Sequence, residues 1–277
     1  MDLYMREAAP LSAQEWEAID EVVVATARAN LVGRRFIHLH GPVGAGVAAV
    51  WVERFSGMTA ATKEIGAQGA GEPVAVSTRV LLPLVHLSKD FRLDFRDIEA
   101  ARHLGGMLDP AAAGAAAAML ARAEDELIFY GADDNPGLFT VTGRQSISKG
   151  DGWREPGSAL QTIAQARSQL VEAGAMGPYA VVLSPDLYAQ LLRPLGQGGR
   201  LELELVQVVA DAGVYQSPVL KQGHGAVVSC GRDVLDIVVG EDVRTAYIGT
   251  EGINHLFRVL EVLALRIRRP EGICTLE

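Results

Sequence analysis

Residues 47–82 are the segment that most constrains the fold of this chain. They are rich in glycine, alanine, serine and threonine, with four glycines between positions 57 and 71, so they can form neither a stable helix nor a core of their own. Residues 74–82 alternate apolar and polar side chains with the period of a β-strand. We therefore predict an extended two-stranded arm that is stable only when neighbouring chains pack against it.

Composition also predicts contacts between subunits. Apolar residues make up 49% of the 277 residues and mean hydropathy is +0.16. The longest apolar run, residues 111–121, is interrupted by Gly114 and is shorter than the about 20 residues that cross a bilayer. The apolar surface of such a chain is expected to be covered by other subunits, and no membrane partner is expected.

Charge and cysteine content exclude other classes. The formal net charge is −9 and the pI about 5.2, so no nucleic-acid partner is expected. Residues 1–10 lack the basic start and apolar stretch of a secretory signal, which predicts a cytoplasmic protein. Cys230 and Cys274 are the only cysteines, and they form neither a disulfide framework nor a metal-ligand cluster.

Helix signals recur along the chain. Ser12 and Glu15 form a capping box that predicts a first helix over residues 11–30. Asp109 and Pro110 start a long alanine-rich helix that is expected to end near residue 129, and its small side chains allow other elements to approach closely. Ser158 with Gln161 predicts a capped helix that ends at residue 174. A further helix is expected to begin at residues 184–185.

Strand patterns lie between these helices. We predict strands over residues 87–95, 179–183, 226–230, 234–239 and 254–269. Residues 201–210 fit neither period throughout, so periodicity leaves them undecided. Strands and helices are mixed without regular βαβ alternation, which indicates an α+β fold.

Three patterns contain residue types that are used in catalysis or in ligand binding. The acidic residues 124–126 stand near a helix end, against the macrodipole, and we expect a buried salt bridge or a capping role rather than an acid–base pair. His38 and His40 could share a metal, but without a third ligand no metal site is predicted. Residues 41–46 are similar to a phosphate-binding loop but lack the Gly-Lys-Ser/Thr that must follow. No nucleophile has an oriented base, so the chain is not expected to be an enzyme.

Short motifs in a fixed order resemble those of encapsulin shell proteins. At the start of the chain they are Pro10, Leu11, Trp16, Ile19 and Asp20, then residues 33–36, then Gly41, Pro42 and Gly44. Later they are residues 124–126 with Ile128, Phe129 and Gly131, residues 177–179, residues 240–247, and Pro270 and Glu271 with Ile273. Together they span nearly the whole chain.

The resemblance implies a Hong Kong 97-type phage major capsid fold. Residues 1–45, 85–145 and 241–277 would form a discontinuous peripheral domain, residues 46–84 the extended loop, and residues 146–240 the axial domain. Members of the family close into icosahedral shells around cargo enzymes, commonly peroxidases or ferritin-like proteins, which carry a C-terminal targeting peptide. The expected partners are therefore further copies of this chain and such a cargo enzyme, in a cytoplasmic nanocompartment with small-molecule pores.

The resemblance also implies two sites and argues against a cofactor. An apolar groove for the cargo peptide would be formed by Ala27, Leu31, Arg34, Phe36 and His38, with Val243 opposite. His38 stands where close relatives often have an acidic residue. Some relatives stack flavin on a tryptophan at the position of Arg96, so no flavin or other cofactor is expected here. The alternative is that the groove residues only pack the helix onto its own domain.

The second implied site is a pore loop at the five-fold vertex. It comprises Leu195, Gly196, Gln197, Gly198, Gly199 and Arg200. Glycines allow several copies of a loop to approach one axis. The alternative is an ordinary flexible surface loop.

One rival interpretation keeps the fold and changes the function. The major capsid protein of a prophage would have the same architecture but would enclose DNA. The net negative charge and the lack of a basic arm disfavour it.

Overall fold

The structure is a computed structural model that describes residues 3–56, 61, 72–104, 108–150, 152–196 and 199–277. Six α-helices lie within these residues: α1 Ala13–Asn30, α2 Phe95–Leu104, α3 Ala111–Tyr130, α4 Ser158–Glu172, α5 Pro185–Leu191 and α6 Glu202–Val209. Three short 3-10 turns span Arg6–Ala8, Gly33–Arg35 and Pro270–Gly272.

The strands of the described residues are β1 Leu39–His40, β2 Ala49–Ser56, β3 Ala75–Pro83, β4 Val85–Leu93, β5 Gly131–Ala132, β6 Asn135–Pro136, β7 Gln145–Ile147, β8 Tyr179–Leu183, β9 Pro194–Leu195, β10 Arg200–Leu201, β11 Gly213–Gln216, β12 Gly225–Ser229, β13 Leu235–Glu251, β14 Asn254–Ile267 and β15 Ile273–Leu276. β13 and β14 form a long antiparallel hairpin.

Two sheets organise the molecule. The first has the strand order β1-β13-β14-β4, with β1 parallel to β13 and the other pairs antiparallel. The second has the order β11-β8-β12-β15-β7, in which the outer pairs are parallel and the inner pairs antiparallel. The predicted mixture of helices and strands without regular βαβ alternation is confirmed.

The helices cover these sheets through three apolar clusters. One joins α1 and α3 to the first sheet, where Trp16 meets Phe257 edge-on and Phe257 stacks on Phe91. Another lies between the two sheets and contains Ile128 and Phe129, at the end of α3. The last packs α4, α5 and α6 on the second sheet. Both sheets therefore have apolar cores, one of which lies between them.

Several predicted elements are confirmed. The capping box of α1 is present: Glu15 N–H donates to Ser12 Oγ at 3.3 Å, and Ser12 N–H donates to the Glu15 carboxylate at 2.6 Å. Strand β8 has the predicted bounds, and α5 begins at the predicted proline. α3 approaches α1 closely, because a Cβ on Gly114 would lie 3.0 Å from Val22 Cγ1. The small residues of α3 thus have the packing role that the sequence indicated.

Other details differ from the prediction. Ser158 does not cap α4, because the N-cap is Gly157 and the Ser158 hydroxyl donates to the Glu155 carbonyl at 2.6 Å. Of the undecided residues 201–210, Glu202–Val209 form helix α6. The predicted strand over residues 87–95 ends at Leu93, and Asp94 accepts a hydrogen bond from Arg96 N–H at the start of α2, a helix that the alternation concealed.

The predicted arm is a two-stranded antiparallel ribbon. Trp51 lies opposite Leu81, and Val52 lies opposite Val80. Val52 and Leu82 are buried at its base, against Ala264 of β14. Most of its other described residues are exposed. The four glycines between positions 57 and 71 lie outside the described residues.

Sheet membership bears on the proposed domain boundaries. β15 lies in residues 241–277, which were assigned to the peripheral domain, yet it pairs with β12 and β7 of the second sheet. β13 begins at Leu235, inside the stretch assigned to the axial domain, and belongs to the first sheet. The chain therefore crosses from the second sheet to the first between β12 and β13, and it returns to the second sheet between β14 and β15.

Candidate functional site

The turn after α1 is fixed by Asp125 of α3. Its carboxylate accepts hydrogen bonds from Val32 N–H at 3.1 Å and from Gly33 N–H at 2.9 Å. Gly33 is packed so tightly on α3 that a Cβ would lie 2.6 Å from Ile128 Cδ1. Burial raises the pKa of Asp125 to about 7, against the lowering effect of these two hydrogen bonds. Asp125 therefore caps the Gly33–Arg35 turn, as the sequence predicted for this acidic stretch.

Arg34 is the centre of a buried ionic cluster. Its Nε donates to Glu124 at 2.7 Å, Nη1 to Asp242 at 2.6 Å and Nη2 to Glu261 at 2.8 Å. Glu124 and Glu261 are fully buried. The predicted buried salt bridge is thus present. It joins three elements of the first sheet and its helices: the turn after α1, helix α3 and the β13–β14 hairpin.

A β-bulge brings Asp242 to this cluster. Glu241 of β13 lies opposite Val262 and Arg244 opposite Leu260, so Asp242 and Val243 together face Glu261. The extra residue bends the strand. As a result Asp242 reaches Arg34, and Val243 packs toward α1.

The structure brings together only part of the predicted groove. Ala27 and Leu31 form one cluster with Ala121, and Val243 packs against it. Ala27 and Leu31 are only 3% and 4% exposed, so in the single chain this apolar cluster is closed. Val243 is the member that remains partly accessible.

The other three predicted residues have different surroundings. All three donor groups of the Arg34 guanidinium are engaged by carboxylates. Phe36 belongs to the cluster between the sheets and stacks on Tyr215, with ring centroids 5.6 Å apart. The His38 carbonyl accepts from Ile237 N–H, beside strand β1. Neither Phe36 nor His38 is among the residues of the cluster around Ala27.

A separate groove, which the sequence did not predict, runs along the outer, solvent-exposed face of α1. Its volume is about 930 Å³, and its lining includes Trp16, Asp20 and Val24. The Arg6 guanidinium lies 4.0 Å from the centre of the Trp16 ring and pairs with Asp20 at 2.5 Å. The exposed acidic residues at positions 17 and 21 are the sequence signal for this second face.

The predicted pore loop is a short hairpin. β9 pairs with β10 so that Leu195 lies opposite Arg200, and Gly196 and Gly199 have positive φ of 65° and 69°. Gln197 and Gly198 lie outside the described residues. Glycine is suited to such backbone angles, which side chains disfavour.

Two side chains anchor the base of this hairpin. Arg193 donates to the carbonyl of Arg154 at 2.8 Å. Glu202, fully buried, accepts from Leu160 N–H at 2.9 Å in the first turn of α4. The hairpin tip therefore extends from a fixed base.

Other site types are not found in the part of the chain that the structure describes. Its described residues contain no group of three histidine, cysteine or acidic side chains that could hold a metal. Burial raises the pKa of Cys230 and Cys274 to about 12, so both stay protonated thiols. No helix among the described residues has the length and apolar character of a membrane span.

The sequence is similar to known proteins over almost its full length. A family model described as "Encapsulating protein for peroxidase" matches residues 1–264. The type 1 encapsulin shell protein EncA of Myxococcus xanthus is 45% identical, over 97% of this chain and 94% of that protein. A diheme-cytochrome-encapsulin shell fusion protein of Kuenenia stuttgartiensis is 34% identical, over 96% of this chain and 74% of that protein.

Solved structures share the fold. The virus-like particle from Pyrococcus furiosus matches with a TM-score of 0.78 and 22% identity, over 96% of this chain and 100% of that chain. The capsid of Myoviridae phage XM1 matches with a TM-score of 0.66 and 15% identity, over 88% of this chain and 90% of that chain. The predicted α+β fold of the Hong Kong 97 type is confirmed.

Fold and sequence thus agree. The capsid-like fold alone would fit both phage capsids and encapsulin shells. The family match over residues 1–264 and the 45% identity to an encapsulin shell protein decide between these two families. The chain is a shell-forming protein and not an enzyme. It belongs to the encapsulin shell proteins.

Proposed function

We propose that this chain assembles into a closed icosahedral shell that encloses a cargo enzyme, captured through the C-terminal targeting peptide of that enzyme, and that pores in the shell admit small molecules. The observation that carries the proposal is the exposed two-stranded arm. A two-stranded arm with exposed apolar side chains is only marginally stable on a single chain. It is stabilised when other copies of the chain cover it.

The apolar residues of the arm support this argument. Trp51 is 57% exposed, and the residue opposite it, Leu81, is 53% exposed. Phe55 and Val80 are about half exposed as well. A ribbon with aromatic and aliphatic side chains open to water matches the apolar core of a subunit interface rather than a solvated surface.

The proposed domains follow from this shell. Residues 46–84 would be the extended loop that interlocks neighbours, residues 1–45, 85–145 and 241–277 the peripheral domain, and residues 146–240 the axial domain. The second sheet, completed by β15, would place the hairpin at residues 195–200 at the five-fold vertex. Five copies of its glycine turns would then line a pore.

The cargo would be a peroxidase or a ferritin-like protein. Two relatives carry their partner in the same chain: a diheme-cytochrome fusion and a ferritin-like fusion from Pyrococcus furiosus. For this chain we propose capture of a separate enzyme. Its peptide would anchor on Val243 and on the apolar cluster of Ala27 and Leu31 beneath, at the end of α1, with Arg34, Phe36 and His38 around it.

The rival function, a prophage capsid protein, shares the fold but is less well supported. Phage capsids match at 15% identity, whereas an encapsulin shell protein matches at 45%. The net charge of −9 also opposes the packing of a polyanion inside the shell. Purified particles are therefore expected to lack nuclease-protected DNA.

Co-expression tests the cargo proposal. The probe is a fluorescent protein that carries, after a flexible linker, a short apolar C-terminal peptide of the kind that targets cargo enzymes. Particles are purified, and the reporter that co-purifies is measured per shell. We expect Val243→Asp to reduce capture at least about tenfold, since a charge would be buried against the peptide.

Val24→Asp is the matched control, because Val24 is an exposed valine of α1, the helix that carries Ala27, but lines the groove on the outer face of that helix. It is expected to leave capture unchanged. If Val24→Asp abolishes capture while Val243→Asp does not, the peptide binds along the outer face of α1 and the proposed site is wrong. If a reporter without the peptide is captured equally well, the peptide mechanism is wrong.

A further inference from the structure

The buried carboxyl groups around Arg34 outnumber the cations that could balance them. Glu124 and Glu261 are both fully buried, and Asp242 contacts the same guanidinium. One positive charge thus faces three carboxyl groups, two of which have no access to water. Two buried carboxylates cannot both ionise beside a single cation without a large desolvation cost.

The two buried glutamates differ in their hydrogen bonds. Both Glu124 oxygens accept from Arg34 Nε, at 2.7 and 3.0 Å. Glu261 Oε2 accepts from Arg34 Nη2, whereas its Oε1 is buried with no donor among the described residues. Glu124 is thus paired at both oxygens, whereas Glu261 keeps one buried oxygen without a hydrogen bond, which costs less for a protonated carboxyl group than for a carboxylate.

We propose that Glu261 holds a proton, and that its loss as pH rises opens the joint between the Gly33–Arg35 turn and the β-bulge at residues 241–244. The inference goes beyond shell and cargo, because it concerns the joint itself and holds whether or not a peptide binds beside it.

The groups that face Glu261 come from every element packed on it. β13 contributes Asp242, α3 contributes Glu124, and the turn after α1 contributes Arg34. β4 contributes only the apolar Leu87, which lies opposite Glu261. Farther out, Arg35 acts on Asp125, and Arg28 of α1 acts on Asp242. No second cation among the described residues contacts the carboxyl pair, so a second negative charge there stays unbalanced.

Burial, with repulsion from Glu124 next, raises the pKa of Glu261 well above its ordinary value, while Arg34 lowers it. A carboxyl group whose pKa is higher in the folded chain binds its proton more tightly there than in the unfolded chain. Its contribution is complete at low pH and is lost as pH rises through the folded pKa. The joint is therefore tightest in acid and loosens toward alkaline pH.

Loss of the proton has a mechanical consequence. With Glu124, Glu261 and Asp242 all ionised around Arg34, repulsion acts between α3 and the β13–β14 hairpin, which the cluster otherwise holds together. Asp242 is the exposed member, with 61% of its side chain accessible, so the bulge is the side that can move outward.

The test uses assembled shells of the wild type and of Glu261→Gln, which keeps the shape of the side chain and stays neutral at every pH. Infrared spectra across a pH series detect the C=O stretch of a protonated buried carboxyl. Amide hydrogen exchange of residues 33–36 and 241–244 is compared between the two proteins at the same pH, so that intrinsic pH effects cancel. Glu126→Gln, an exposed glutamate of α3 two residues from Glu124, is the control.

The wild type should show a protonated-carboxyl band that disappears as pH rises, together with exchange that becomes about tenfold faster than in Glu261→Gln. The variant should lack the part of the band that comes from Glu261, whereas Asp125 contributes its own band in both proteins. Identical bands and identical exchange in both shells would overturn the proposal. Should Glu261→Gln fail to assemble, shells of Asp125→Asn, which lack the Asp125 band, decide equally: the absence of any protonated-carboxyl band in their spectrum overturns the proposal.

Discussion

At the residue scale, the acidic stretch 124–126 shows what a single sequence can and cannot reveal. Its unfavourable position at a helix C-terminus predicted that something holds it, and Arg34 with the Gly33–Arg35 turn does so. The partners themselves could not be predicted. The carboxylates that bind Arg34 lie 90, 208 and 227 residues away along the chain.

The surroundings of the predicted groove residues could be foreseen only in part, for the same reason. Ala27 and Leu31 share a helical face, which the sequence shows, and Val243 does reach them. Phe36 follows a 3-10 turn that rotates it into the core between the sheets. Periodicity carries no information beyond the end of the helix, so residues 34–38 could not be placed.

Gly33 offers a sharp test of the packing at this turn. A Cβ there would lie 2.6 Å from Ile128 Cδ1, so Gly33→Ala is expected to destabilise the chain by about 1–3 kcal/mol. Gly46→Ala is the control, because a Cβ at Gly46 meets nothing within 4 Å. Guanidinium unfolding of both variants measures the difference. Equal unfolding midpoints would show that the turn is not tightly packed on α3.

At the scale of elements, local signals succeeded where they act alone. The Ser12 capping box, the proline that starts α5 and strand β8 need no distant contact to be recognised. α2 was missed because Phe91, Leu93 and Phe95 continue a strand pattern into a helix. α6 stayed undecided because its packing against α4, rather than its period, selects the helix.

The two serine signals give a matched prediction. Ser12→Ala is expected to cost about 0.5–2 kcal/mol, because it removes the acceptor for Glu15 N–H. Ser158→Ala should cost less, because Gly157 is the N-cap of α4 and the Ser158 hydroxyl only donates to Glu155. Thermal unfolding of the two variants compares them. A larger loss for Ser158→Ala would mean that α4 is capped as the sequence first indicated.

At the scale of the whole molecule, contacts between subunits explain both the high apolar content and the glycine-rich arm. The described residues contain continuous cores, so the high apolar content is partly internal. The remainder is exposed along the arm, where Trp51 and Leu81 face water. The sequence could predict that other chains cover the arm. It could not predict which face of the β2–β3 ribbon contacts the other chains, since that face depends on the register of β2 with β3.

The central claim is that identical copies bury this arm in a closed shell. Sedimentation and negative-stain microscopy of purified protein test it directly, with Trp51→Asp to place a charge on the arm and Trp51→Phe to keep it apolar. Wild type and Trp51→Phe should form closed particles of uniform size, and Trp51→Asp should shift toward free subunits. A wild-type chain that sediments only as a monomer or small oligomer would contradict the account.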